Sequence, residues 1–540
     1  DVGHISNAFH FASASETTDT KPEQLFAPFL REVRLFPSDP LSDEVMSTTV
    51  ERLWKVLMAE RRALGRLGAA TMPTSCLLGG WYDVEIHDGV TQRWSSEQGE
   101  IHVAQDVSAL RVSGWHAGSF DMDVQIDDEP PTRVTLRDNF LFELALSLGR
   151  SQIVSLRLRT NRGSVQDPRD LGFLLKKLEV LPGRQGVWRT VPLDQGFDTL
   201  WRQVDSSAWI DALATVTDQR PEPAEEAFLT VRGPRSSALV EYVRASVGRY
   251  DVVLVQGIPF SLTVDVMRAV RDAGVPLVLL PHYHVDDAFY HWRQYYESFA
   301  KANAVLSFSN WVSEHFFAKR GINAPVIAGG GIDPSEYLAR GTQLERFRDF
   351  RGSDRPYFLV LGRKTASKGY RTIIEAHQQL VVSRGGDVDL VLIGPDEDRQ
   401  PVEGRDVHYY GRLSRELMLG ALAGCVGLVT MSTSESFGIV IVEAWMSGRP
   451  VIANRRCLSF GELVEDGEDG ILVGTTDELI AAMRTLLENP ARAGAMGDAG
   501  HRKAMEKYTW SAAARRFHDI LTEVLDGGAE GARAGALVSA

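Results

Sequence analysis

Glu435 and Glu443 lie eight residues apart in SESFGIVIVEAWMSGRPVI, where a strand, a loop and a helix would meet. A helix beginning near Phe437 would aim the unpaired backbone N–H groups of Gly438, Ile439 and Val440 at an anion. Gly438 would let that anion come close, and Gly448 and Pro450 would stop the helix before the apolar strand PVIA. Taken alone, acids at this spacing also serve as helix caps or solvated helix faces. A second group is VLGRKTASKG, in which Arg363 and Lys368 stand five residues apart after an apolar strand. Sheet enzymes place ligands at strand ends, and two cations there can neutralise a diphosphate from two directions. Two exposed loop cations are the alternative, and the GK[ST] ending of a Walker loop is absent.

Other residues carry less by themselves. Gly394 in VLIGPDED and the Gly411-Arg412-Leu413 turn in VHYYGRLSRELM follow predicted strands, as ordinary turns also do. In VPLVLLPHYHVDD, His282 lies at the end of a predicted strand and His284 two residues on. The strand-end position favours His282 as a ligand-facing group, although a histidine is also a common hydrogen-bonded structural residue. The donor region has no DxD-like metal motif, while the acidic run Asp396, Glu397, Asp398 leaves a metal open. Cys76, Cys425 and Cys457 form no CxxC pair, so neither a disulfide framework nor a zinc site is expected.

These residues need elements to hold them. Residues 1–75 end in a helical pattern, with Val50, Leu53, Val56, Leu57 and Leu64 at three-four spacing. Residues 76–185 change to short alternating segments (IHVAQ, ALRVSGW, SFDMDVQI, TRVTL, FELALSL, QIVSLRLRT, LKKLEVL), which predicts a β-sandwich. Across 186–345, apolar strands alternate with helical patterns: FLTV, SSALVEYVRASV, DVVLV, SLTVDVMRAVRDA, PLVLL, AVLSFS, PVIAG. A second such series fills 346–525 from YFLVLG onward, and a Gly/Ala-rich flexible tail is expected at 526–540. Two consecutive βα series predict an α/β protein with two Rossmann-like lobes facing a cleft.

The segment around Glu435 and Glu443 resembles the signature of glycosyltransferase family 4, retaining enzymes of GT-B fold in which two glutamates flank seven residues. GRPVI and ELVEDGEDGILV continue that pattern. The resemblance implies that Glu435 sits beside the donor sugar and that Glu443 accepts hydrogen bonds from the ribose. It assigns Arg363 and Lys368 to the donor diphosphate, and Gly394, Arg412 and Leu413 to the donor site, the last two framing the base. It also implies that His282 is a cleft histidine near the donor sugar and acceptor, catalytic together with Glu435. AGGGID, ending at Asp333, resembles the family's NGVD turn into the inter-lobe linker. The likeness covers about residues 227–525 and is strongest from 357 to 473. It departs at the front, where RGPRSS around Gly233 is the sole counterpart of the family's double-glycine loop and the acceptor lobe looks shortened. The β-rich module resembles domains fused to bacterial surface-polysaccharide glycosyltransferases, through GWYDVE, Arg93-Trp94 and DPRDLGFLLKKLEV. Its Trp81, Trp94 and Trp115 either stack on sugars or pack a core.

Composition sets the outer bounds. The 540-residue chain is too long for one core, and 44% hydrophobic with 24% charged residues is ordinary for a soluble globular protein. A net charge of −14 opposes the attraction to phosphate backbones on which nucleic-acid binders rely, so no nucleic-acid partner is expected. No apolar stretch approaches the ~20 residues that span a bilayer. The chain opens with Asp1 and lacks a basic-then-apolar leader, so no secretion signal is expected. The expectation is a cytoplasmic glycosyltransferase in surface-polysaccharide synthesis, at the inner face of the membrane if it associates there peripherally. It would take a GDP- or UDP-linked hexose and a glycan or lipid-linked glycan acceptor, with no separate cofactor and no metal. A GT-B phosphorylase, a nucleotide-sugar epimerase and an inactive glycan-binding or scaffolding protein are the rival readings.

Overall fold

A computed structural model describes residues 75–538 apart from 88–89, 105, 137–140, 149–151, 160–170, 184–185, 194–205, 233–234, 259, 328, 330 and 385–387. Ahead of these it describes helical positions 45, 49, 53, 56, 59, 60, 63 and 64, so most of the expected 1–75 helical segment lies outside the described residues. Val50, Leu57, Gly233 and the Asp167–Asp170 part of DPRDLG lie outside them too. The chain divides into two compact units. The first runs to Val243 and adds Pro259–Val266 and Ala288–Glu297; the second holds Arg244–Ile258, Met267–Asp287 and everything from Ser298. The 186–345 span is thus shared between the two.

The first unit begins with the sandwich. One antiparallel sheet is ordered Cys76–Leu77, Gln98–Val103, Gln152–Arg157, Phe120–Ile126, Thr132–Leu136. The other is ordered Trp81–His87, Val90–Ser95, Leu174–Pro182, Val107–Trp115, Leu141–Ser147. Alternation sets the faces: Leu110 and Val112 are fully buried in the shared core, whereas Arg111 and Ser113, which alternate with them, are half-buried. Trp81 is a core residue, its Nε1 donating to the Glu100 carbonyl at 2.8 Å. Trp94 and Trp115 are half-buried and meet edge to face, centroids 6.0 Å apart. The core reading therefore holds for Trp81 and not for the other two.

Beyond the sandwich come the helices Ser206–Asp218 and Glu222–Val231. FLTV, expected as a strand, is the end of the second helix. Ala224, Ala227, Phe228 and Val231 are buried at helical spacing, and the first turn carries Glu222 and Glu225. Arg220 anchors this unit from a buried position, donating to Glu60 at 2.5 Å and Glu225 at 2.9 Å with its guanidinium 3.7 Å from the Trp292 ring.

In the second unit a parallel sheet is ordered Val253–Gln256, Leu277–Leu280, Ala304–Val305. The C-terminal lobe has six parallel strands, ordered Val407–Tyr409, Asp389–Ile393, Tyr357–Leu361, Gly427–Thr430, Val451–Asn454, Gly470–Val473. Numbered within the lobe this is 3-2-1-4-5-6, the Rossmann order, whose direction reverses between Tyr357–Leu361 and Gly427–Thr430. The helix Trp510–Val538 returns to the smaller sheet, with Ile520 and Val524 in one core with Val278, Leu280, Ala304 and Leu306. Its backbone is helical through the Gly/Ala-rich stretch where a flexible tail is expected from 526.

Trp445 is central to the larger core, fully buried and bonded through Nε1 to the Asp469 carbonyl at 2.8 Å. Trp445→Ala is expected to cost about 3–5 kcal/mol. Urea denaturation should show a clearly lower midpoint for the variant, and an unchanged midpoint would contradict the packing described.

Candidate active site

Open α/β sheets bind ligands at the carboxyl ends of their strands where the order reverses. Here the two loops leaving that point are Gly362–Gly369 and Ser432–Gly438, so the two groups singled out in the sequence emerge side by side. The first loop leaves Leu361 through Gly362 at φ 142°. A Cβ on Gly394, at φ 151°, would sit 1.7 Å from the Gly362 carbonyl oxygen. Gly394 is thus where one strand end packs against the next, with Gly362 N–H donating to Ile393 and Gly394 N–H to Gly411. The loop then forms a short turn, Ala366–Lys368, closed by left-handed Gly369 beneath the Met431 carbonyl.

Arg363 is exposed and pairs with Glu397 at 3.1 Å. Lys364, which the sequence reading passed over, turns inward. Its ammonium bonds Asp396 at 2.8 Å, Asp398, and the Gln400 carbonyl at 2.6 Å. Burial pushes its pKa down, but the two aspartates outweigh that and raise it. The Tyr370 hydroxyl donates to Asp398 at 2.7 Å, and Asp398 is held below the usual carboxylate range. The acidic run is therefore the counter-charge of its own loop cations, and no group of three metal-ligating side chains occurs among the described residues.

Lys368 pairs with Glu435. The Thr433 N–H donates to the Ser367 carbonyl at 3.0 Å, tying the second loop to the first. Gly438, at φ 102°, caps the helix Ile439–Met446, where a Cβ would meet the Phe460 ring at 2.6 Å. The helix starts at Ile439, two residues after the expected Phe437, with Ile439 exposed and no side-chain cap. At the other end Arg340 donates to the Met446 carbonyl at 2.5 Å, a cation where the dipole is negative. Glu443 lies on this helix and pairs with Arg415 at 2.5 Å. Arg412 is exposed, and Leu413 packs against the larger core.

The smaller sheet brings two histidines. His282 follows Leu277–Leu280 at φ 50°, a left-handed value uncommon outside glycine, with Nε2 2.8 Å from the Gln256 amide and its ring 5.4 Å from Phe308. His284 Nδ1 lies 3.1 Å from Ser434 Oγ, which donates to buried Asp286 at 2.5 Å. His284, Ser434 and Asp286 thus form a bonded chain reaching the loop that carries Glu435. Burial lowers the pKa of both imidazoles, assisted at His282 by His284 and opposed at His284 by Asp287, Asp286 and Glu435. Gln256, Ser434 and Arg415 escaped the sequence reading, since each is defined by partners remote in the chain.

Lowered imidazole pKa values have a direct consequence for stability. Below the ordinary value of about 6.5 the unfolded chain takes up more protons than the folded one, so stability is full above that pH and falls as the pH drops toward the depressed values. Unfolding of the parent and of His284→Gln should be compared between pH 5 and 8. The parent should lose stability below about pH 6.5 more steeply than the variant, and parallel curves would refute a neutral buried His284.

The model of the family described as Glycosyl transferases group 1 matches residues 355–489. The chain is 28% identical over 283 residues to an alpha-D-kanosaminyltransferase of Streptomyces kanamyceticus, covering 47% of this chain and 72% of that one. It is 32% identical over 157 residues to an MMP alpha-(1->4)-mannosyltransferase of Mycolicibacterium hassiacum, covering 27% and 38%. It is 31% identical over 216 residues to a phosphatidyl-myo-inositol mannosyltransferase of Propionibacterium freudenreichii, covering 39% and 52%. The chain thus spans 38% and 52% of the length of these two mannosyltransferases. Among solved structures, Anabaena Alr3699/HepE in complex with UDP and glucose is 22% identical, with 53% and 81% covered and a TM-score of 0.46. The family match at residues 355–489 thus spans all six strands of the C-terminal lobe, which is similar to the Glycosyl transferases group 1 family.

Proposed function

We propose that the protein is a retaining glycosyltransferase that moves a hexose from a GDP- or UDP-linked donor to a glycan or lipid-linked glycan acceptor in bacterial surface-polysaccharide synthesis. The observation that carries this reading is the meeting of Lys368 and Glu435 at the point where the strand order reverses. A diphosphate at that point would lie between Arg363 and Lys368 and ahead of the N–H groups of Gly438, Ile439 and Val440. Cations and oriented N–H groups stabilise charge that grows on a leaving diphosphate as the glycosidic bond loosens. Glu435, released from Lys368 as the diphosphate takes the cation, would face the transferred sugar. Glu443 would accept from the ribose hydroxyls, Arg412 and Leu413 would frame the base, and His282 would stand near the sugar and acceptor, with His284 reaching the same loop through Ser434. In this mechanism the acceptor hydroxyl attacks from the face the leaving group vacates and passes its proton to the diphosphate, so Glu435 is not a covalent nucleophile.

The hexosyl relatives fit such a donor, and the phosphatidyl-myo-inositol in one relative's name is the kind of acceptor a lipid-linked reading requires. Among the described residues no helix is long and apolar enough to cross a membrane, so we place any action at the inner membrane face as peripheral. Release of free nucleoside diphosphate that depends on an added acceptor separates transfer from phosphorolysis and epimerisation.

Two measurements test the assignments. Lys368→Ala and Arg363→Ala should each weaken nucleoside diphosphate binding in calorimetry, each losing a charge-assisted contact of roughly 1.5–3 kcal/mol. Lys368→Ala should cost more, because it also leaves Glu435 uncompensated beside the diphosphate, whereas the exposed Arg363 is screened. Equal affinity in all three proteins would remove the diphosphate site. In steady-state kinetics, Glu435→Gln should lower kcat at least tenfold, about 1.4 kcal/mol, with little change in donor KM. Glu443→Gln should instead raise donor KM with a milder effect on kcat, and the opposite pattern would reverse the two roles.

A further inference from the structure

Glu443 is held by a side chain from another element. Arg415 opens the helix Arg415–Gly424, which follows the strand Val407–Tyr409 and the Gly411–Leu413 turn. Its Nη1 bonds Glu443 Oε1 at 2.5 Å. Nη2 and Nε bond Glu336 Oε2 at 2.6 and 3.0 Å, and Nη2 lies 3.3 Å from the Tyr337 hydroxyl. Glu336 and Tyr337 belong to the short helix Pro334–Tyr337 that follows Asp333. One planar guanidinium thus joins the third strand-end loop, the helix after the fourth strand, and the segment leading out of the smaller lobe.

A cation in the first turn of a helix faces the positive end of the dipole, an unfavourable place unless carboxylates compensate. Here two do, and together they hold the Arg415 pKa above its ordinary value against the effect of burial. The bond to Glu443 uses Oε1 alone, and Oε2 has no hydrogen-bond partner among the described residues. Arginine suits this geometry because its planar fork reaches Glu336 through Nε and Nη2 and so aims Nη1 at Glu443 Oε1 from a fixed direction.

We propose that Arg415 is a positioning residue for ribose recognition: it clamps Glu443 through Oε1 and presents Oε2 to the ribose hydroxyls of a nucleoside diphosphate. This rests on the donor-site reading above and adds to it the residue that pre-orients the ribose acceptor. A site built to bond a hydroxyl discriminates against the analogue that lacks it, so the ribose 2′-hydroxyl supplies a direct readout.

The experiment is calorimetry of UDP and GDP, each beside its 2′-deoxy form, with the parent, Arg415→Met, Glu443→Gln and the double variant. The parent should prefer the ribonucleotide about tenfold. Arg415→Met should narrow that preference to within about twofold, and the double variant should lose nothing beyond Glu443→Gln. Arg415→Lys, which keeps the charge but cannot span both carboxylates, should narrow it likewise and serves if the methionine variant does not fold. General loss of stability would lower affinity for both nucleotide forms together and leave the preference intact. A retained preference in the Arg415 variants, or additive losses in the double variant, overturns the positioning role while the donor site stands. Absence of a ribose preference in the parent overturns the role of Glu443 and this inference with it. Failure of the parent to bind either ribonucleotide overturns the donor reading and this inference together.

Discussion

Lys368 and Glu435 stand 67 residues apart in the chain and meet because two neighbouring strands of one sheet end beside each other. That ion pair is possible only if the loops carrying it come within backbone distance, and small residues make this so. Gly394 leaves room for the Gly362 carbonyl, and Gly369 for the Met431 carbonyl. A Cβ at Gly369 would push apart the two loops that bear the pair, and one at Gly394 would displace the first loop where it leaves its strand. Both positions also have positive φ, so a larger residue would add backbone strain to the clash.

Charge in the site follows a common rule. Arg363 faces Glu397, Lys364 faces Asp396 and Asp398, Lys368 faces Glu435, and Arg415 faces Glu443. A chain of net charge −14 does not attract an anionic ligand through its overall field, so attraction must come from local cations that can change partner. These pairs differ in that respect. The Lys364 ammonium is almost wholly buried with three oxygen partners and behaves as a fixed strut, whereas Arg363 is more than half exposed and can exchange Glu397 for a ligand at low cost. The acids at 396–398 thus divide between the two: Asp396 and Asp398 hold the strut, and Glu397 accompanies the mobile cation.

What could be read from the sequence follows from how far each feature reaches along the chain. The two glutamates, the helix after Gly438, and Arg363 with Lys368 are local patterns, and the alternation of strand and helix was enough for the parallel sheets. Sandwich strands were legible through their period of two, although the run FLTV misled because four apolar residues fit a strand or a helix equally. Lys364 and Arg415 were invisible because their partners lie 34, and 28 and 79, residues away. The histidines fall between these cases. Strand-end position singled out His282, whereas the link of His284 to Ser434 spans 150 residues and could come only from the fold.

The helix Ile439–Met446 shows how these layers act on one another. It is almost wholly apolar, and Ile441, Val442, Ala444 and Trp445 are fully buried, so its axis is fixed by packing and not by the charges at its ends. Fixing the axis fixes where the N-terminal N–H groups point, since they lie along it. The end charges then follow from geometry: Arg340 meets the C-terminal carbonyls, and the N-terminus is left to face the switch point with glycine as its cap. A polar cap such as serine or aspartate would have satisfied those N–H groups from within and occupied the place of an incoming anion. Glycine leaves them open, so the helix is less well capped than it could be at the one end where an anion would complete it.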